Sequence, residues 1–97
     1  MSRHRYIVSY DVREPTRLRR THSAMLGFGD PLQYSVFVCD LSAAELVSLE
    51  IVLRKILRLS EDSLLLVDLG PLPGLAERRV RILGQQRLPE VRRFLIV

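Results

Sequence analysis

Apolar and aromatic residues dominate near the start of the chain, with no glycine or proline among them. Arg5 to Asp11 reads as a strand, with Tyr6, Val8 and Tyr10 on one face and Ile7, Ser9 and Asp11 on the other. The period then changes. Glu14-Pro15-Thr16 opens a helix, because proline suits the first helical position, and Leu18, Thr21, His22 and Met25 recur as one buried stripe until Gly27-Phe28-Gly29 ends it. Around that helix Arg19 flanks one side of the stripe, while Arg17 and Arg20 lie together toward the other. Tyr34 to Asp40 is a second strand, with Ser35, Phe37 and Cys39 on one face and Val36 and Val38 on the other. The pattern leaves open whether Pro31 to Gln33 forms a strand of its own.

Ser42-Ala43-Ala44-Glu45 is a capping box, in which serine and glutamate each satisfy a free backbone donor at a helix start. Leu46, Leu49, Leu53, Ile56 and Leu57 form the buried face of the helix it opens, and Glu50, Arg54 and Arg58 lie on an exposed one. Ser63 to Leu69 is an apolar strand that Gly70-Pro71 should stop, followed by a turn or linker at Pro71-Leu72-Pro73-Gly74. From Arg78 to Gly84 alternation returns, Val80 and Ile82 facing one way and Arg79 and Arg81 the other. Phe94-Leu95-Ile96-Val97 closes the chain with an apolar tail that needs a cover. This succession, with antiparallel pairing among its options, predicts an α+β fold, two helices on one face of a sheet.

A chain of 97 residues is expected to form one domain, 1–97, and to bury only a modest share of its surface alone, so a partner subunit is expected. With 47 % apolar residues and no apolar run near the length of a membrane span, the expectation is a soluble, cytoplasmic chain without membrane attachment. Cys39 is the single cysteine, which excludes an internal disulfide and a cysteine-built zinc site within one chain. The net charge of +4 comes almost wholly from arginine, Lys55 being the one lysine among fifteen basic residues. Arginine presents a planar fork that matches phosphate oxygens, whereas lysine is a point charge.

That charge changes the meaning of Asp11. A carboxylate at a strand end, followed closely by Arg13, Arg17, Arg19 and Arg20, suggests a metal held against a nucleic-acid backbone. The plainer alternatives are an aspartate capping local backbone donors and a helix face of solvated arginines. Glu14 is a possible outer carboxylate, and His4 and His22 read as structural or solvated because no second motif histidine accompanies them.

Tyr10-Asp11, Arg17-Leu18-Arg19-Arg20, Gly27-Phe28-Gly29 and Gln33-Tyr34-Ser35-Val36-Phe37, in that order and spacing, resemble the CRISPR-associated protein 2 family, with weaker matches at Asp62-Ser63 and Ile82-Leu83-Gly84. The departures are small: Phe28 stands where tyrosine is usual, Arg13-Glu14-Pro15 where acidic or serine residues are common, and the strand from Ser63 is unusually aliphatic.

The resemblance implies a ferredoxin-like sheet in which Pro31 to Leu41 supplies two strands, with an extra C-terminal edge strand, for which Phe94 to Val97 is the candidate, exchanged in a homodimer. It implies that Asp11 is catalytic and binds Mg2+, facing its copy across the two-fold, with Ser9, Tyr10, Ser35 and Phe37 bordering the site and Arg17, Arg19 and Arg20 contacting nucleic acid. The implied activity is a metal-dependent endonuclease cutting RNA or duplex DNA, acting in spacer acquisition with the CRISPR-associated integrase. Two alternatives stand beside it: a non-catalytic dimeric scaffold that holds duplex DNA for the integrase, and, more weakly, a ribonuclease of the virulence-associated protein D type.

Overall fold

The first strand, Arg3–Asp11, has apolar residues on both faces, and this lets it occupy the middle of a covered sheet. The computed structural model describes residues 2–84. Its elements are β1 (Arg3–Asp11), α1 (Pro15–Met25), β2 (Asp30–Gln33), β3 (Val36–Leu41), α2 (Ala43–Ile56) and β4 (Ser63–Leu72), followed by a 3₁₀ turn at Leu75–Arg78. The sheet order is β2-β3-β1-β4, with every neighbouring pair antiparallel, which is the ferredoxin-like α+β arrangement. Val8 stands between Phe37 of β3 and Leu66 of β4, and Ser9 between Val36 and Leu65.

Alternation sorts the faces. Val8, Tyr10, Phe37, Cys39 and Leu41 pack beneath Met25 of α1 and Leu49, Leu53 and Leu57 from α2 and its end. Complete burial of a side chain such as Phe37 or Leu53 contributes roughly 1.5–3 kcal/mol, so this layer is the main source of stability. The other face carries Ile7, Val36 and Val38, covered in part by Leu32 and by Val80 and Ile82 from the segment after the 3₁₀ turn. On that face Arg5 grips Asp40 across the β1–β3 pair, Nε on Oδ1 at 2.8 Å and Nη2 on Oδ2 at 3.1 Å.

The capping box forms as the sequence predicts: Glu45 N–H donates to Ser42 Oγ at 3.2 Å and Ser42 N–H to Glu45 Oε1 at 2.8 Å. At the end of α1, Gly29 runs so close to β3 that an added Cβ would land on the Val38 carbonyl oxygen and 2.6 Å from Cys39 Sγ. Glycine is required there by the approach of two backbones rather than by helix termination alone.

Several expectations are corrected. The strand expected from Tyr34 starts at Val36, and Tyr34-Ser35 forms the turn of a hairpin, because Asp30–Gln33 is a separate strand paired with β3. This agrees with the two strands that the family resemblance implied. Gly70-Pro71 does not stop β4, which runs on to Leu72 with Pro71 opposite His4. β4 is an edge strand, where a residue lacking an N–H can face away from the ladder, and a register shift between His4 and Tyr6 absorbs the irregularity. Leu18 is 40 % exposed instead of joining the buried stripe, while Thr21 and Met25 are buried as expected. The tail from Phe94 to Val97, with the exchanged edge strand expected of it, lies outside the described residues.

Candidate functional site

β1 delivers Asp11 to the end of the sheet, opposite Ser63 of β4, with its side chain exposed. Beside it opens a cleft of about 600 Å³ between α1 and the β2–β3 turn, lined by Tyr10, Asp11, Val12, Leu18, Arg19, His22, Ser23, Tyr34 and Ser35. The exposure of Leu18 follows from its place on this cleft wall.

One buried residue fixes the turn against the strand. Tyr10 donates its hydroxyl proton to the Tyr34 carbonyl at 3.0 Å, and its backbone N–H to the Ser35 carbonyl at 3.1 Å. Burial pushes the Tyr10 hydroxyl up to about 12, so it stays protonated at neutral pH and keeps that bond. The Tyr10 oxygen also lies 3.2 Å from His22 Nδ1. A tyrosine has one hydroxyl proton and a carbonyl only accepts, so Nδ1 is the donor in this contact; in the neutral ring Nε2 is then the acceptor. His22 is further held by the Phe37 ring, edge to face at 5.5 Å.

The cleft therefore brings together Asp11, Tyr10, Ser35 and Arg19 from the predicted set. It does not include the others. Phe37 is wholly buried on the helix-facing side of the sheet and supports Tyr10 and His22 from behind instead of bordering the acid, because its alternation partners are core residues. Ser9 shares the sheet face of Asp11 but stands between Val36 and Leu65, away from the cleft wall. Arg20 is exposed outside the cleft, and Arg19 places Nη2 3.3 Å from Thr16 Oγ1.

Arg17 departs furthest from expectation. It is engaged with Asp62, Nε to Oδ2 at 2.8 Å and Nη2 to Oδ1 at 3.1 Å, and the Asp62 side chain is fully buried. Asp62 also accepts the backbone N–H groups of Arg13 and Arg58, so it ties the loop after Asp11 to α1 and to the approach to β4. The Arg17 hydrogen bonds, reinforced by those backbone donors, hold the Asp62 carboxyl well below the usual carboxylate range. A guanidinium held this way is a structural clasp, not a free phosphate contact. Glu14 is likewise committed: as the N-cap of α1 it accepts from Thr16 N–H at 3.0 Å and Arg17 N–H at 2.7 Å, which occupies both carboxylate oxygens.

Among the described residues the Asp11 carboxylate makes no hydrogen bond or ion pair, and no group of three or more His, Cys, Asp or Glu side chains could enclose a metal. One hard oxygen donor suits magnesium, which keeps several waters and accepts one or two carboxylates together with phosphate oxygens. No helix among the described residues is long and apolar enough to cross a membrane.

Comparison with known proteins places these features in context. The family described as CRISPR associated protein Cas2 matches residues 4–71. The chain is 39 % identical over 94 residues to a CRISPR-associated endoribonuclease Cas2 of Geobacter sulfurreducens, covering 97 % of this chain and 98 % of that one. It is 31 % identical over 97 residues to a CRISPR-associated endonuclease Cas2 of Thermus thermophilus, covering 100 % of each. The crystal structure of Streptococcus pyogenes Cas2 superposes with a TM-score of 0.71 at 32 % identity, covering 82 % of this chain and 99 % of that chain.

Proposed function

The chain belongs to the CRISPR associated protein Cas2 family, and from that membership we propose that it is a magnesium-dependent endonuclease hydrolysing phosphodiester bonds of RNA or duplex DNA. The observation that carries this reading is the contrast between the acids around the strand end: Glu14 and Asp62 are engaged, whereas Asp11 is exposed and unpaired among the described residues. An exposed carboxylate without a partner is available to a cation, with no existing bond to break first.

Asp11 would hold the magnesium, and a second copy related by a two-fold axis would contribute its own Asp11, completing a shared site without a second motif. When bound, the metal supplies Lewis-acid polarisation of the phosphodiester and charge neutralisation. The chain's own contributions are positional. Arg19 offers the cation on the cleft wall for a phosphate oxygen, and Tyr10 keeps the Tyr34-Ser35 turn fixed beside the reacting bond. Hydrolysis then joins a water oxygen to phosphorus, breaks the bond to the leaving sugar oxygen, and transfers a water proton to that oxygen.

A second reading is favoured by Asp11 being the single carboxylate lining the cleft among the described residues and by exposed Arg19 and Arg20: a dimeric scaffold that holds duplex DNA for the CRISPR-associated integrase without cutting it. A nuclease assay on RNA and duplex DNA with magnesium separates the two. The endonuclease reading expects cleavage by the wild type and its loss in Asp11→Ala, with folding and nucleic-acid binding retained. Wild-type cleavage undiminished in Asp11→Ala removes the assignment of that residue, and a wild type inert across a broad pH range leaves the scaffold.

A further inference from the structure

We propose that the cleft beside Asp11 takes one unpaired nucleotide of a single-stranded nucleic acid, its base stacked on Tyr34 and its phosphate held by Arg19. This deepens the nuclease reading and rests on it for the class of polymer. Four observations carry it. First, a cleft of about 600 Å³ falls within the roughly 300–1,000 Å³ of small-ligand sites; a base paired inside a duplex would first have to be flipped out of its stack to enter it, a cost that an unpaired base does not meet.

Second, Tyr34 is 76 % exposed at the hairpin turn, an aromatic ring with little cover. Its backbone is nevertheless held by Tyr10 through the carbonyls of Tyr34 and Ser35, so the ring stands on a rigid support and little order has to be imposed when a base stacks. Third, Leu18, 40 % exposed, gives the same cleft a second apolar surface, which a base can use and a bare phosphate cannot. Fourth, the polar groups match a nucleotide: Arg19 is complementary to its phosphate, and His22, with Nδ1–H committed to Tyr10, leaves Nε2 for a hydrogen bond with a base edge or a ribose hydroxyl.

The test is binding of the full-length protein, in EDTA without divalent metal, to a fluorescent 12-nucleotide single-stranded RNA and to a 12-base-pair DNA duplex. Tyr34→Ala is expected to weaken single-strand binding by roughly 5- to 150-fold, the equivalent of about 1–3 kcal/mol of stacking. Duplex affinity is expected to change by less than about two-fold, and Tyr34→Phe to bind the single strand like wild type, since stacking needs the ring and not the hydroxyl. Wild-type affinity for the single strand in Tyr34→Ala, an equal loss on single strand and duplex, or no single-strand binding by the wild type each overturns the proposal. Binding is read without metal, so failure of the wild type to cleave would overturn the endonuclease reading and leave this one standing.

Discussion

Arg17 clasps the buried carboxylate of Asp62 with two nitrogens, at 2.8 and 3.1 Å, and the same carboxylate accepts the backbone N–H of Arg13, two residues past Asp11. The pair thus fixes the exit of β1. Removing Arg17 leaves a buried anion with backbone donors alone, and removing the charge of Asp62 leaves the guanidinium only its longer ion pair with Glu61, at 3.4 Å. Both Arg17→Ala and Asp62→Asn should lower the urea midpoint well beyond the effect of exposed arginine replacements, which change stability by about 0.5 kcal/mol or less. Parallel unfolding curves for Arg17→Ala, Arg19→Ala and Arg20→Ala are the measurement; coincident midpoints would deny the clasp its role.

Acid should weaken the fold in a defined window. Asp62 is held low first by Arg17, and Glu45 is lowered to about 2, first by its hydrogen bond from Arg3 and then by the Ser42 cap. A carboxyl whose folded-state value is depressed adds stability that is fully present above its unfolded value, about 4, and is lost as pH falls through the folded value. Thermal midpoints should therefore be insensitive to these groups near neutrality and fall below about pH 4. In Asp62→Asn the acid slope should be shallower; a slope equal to wild type would assign the acid sensitivity elsewhere.

Nucleic-acid binding should depend on the arginines that the fold leaves exposed. Arg19→Ala with Arg20→Ala should weaken duplex binding and flatten its dependence on log salt by up to about one unit for each phosphate that is no longer neutralised. Circular dichroism should remain that of wild type. Unchanged affinity and slope would move the binding surface to Arg78, Arg79 and Arg81, which are exposed beyond β4.

Gly29→Ala should cost about 1–3 kcal/mol, the usual range for overpacking, because its methyl group would meet the β3 backbone and Cys39 Sγ. Gly27→Ala should be milder, since the nearest atom to its added methyl is the Ala24 carbonyl oxygen at 3.3 Å. Denaturant midpoints of the two variants give the comparison directly.

The shared-site reading also expects a dimer in solution. Sedimentation of the wild type at micromolar concentration should give twice the 11.2 kDa chain mass, and Asp11→Ala should sediment the same way. A monomer throughout that range would leave each Asp11 without a second copy.

Much of the fold was legible in the residues. The apolar and aromatic run of β1, free of glycine and proline, and the Ser42–Glu45 box identify their elements because no turn signal interrupts the one and a satisfied cap fixes the other. The hairpin turn at Tyr34-Ser35 was hidden, since neither glycine nor proline marks it and an alternating apolar run continues straight past it. His22 carried no signal as a cleft residue: its partner Tyr10 lies 12 positions away and meets it only through packing. Asp62 entered only as part of a weaker family match at a strand start. Its importance comes from burial beside Arg17, 45 positions distant, and the bare sequence shows only an acid before a strand.

The central position of β1 has a consequence for the order in which the molecule can assemble. Its ladders are closed by residues 36–41 on one side and 63–72 on the other, so the earliest-made of the four described strands is among the last to be completed. α1 can form from local contacts while β1 waits with both edges open, and once β3 has paired, the entropy of closing the long loop to β4 must still be met before that ladder adds any stability. A nascent chain halted after α2 would display an apolar strand with one unpaired edge, the form most prone to pair with a neighbour.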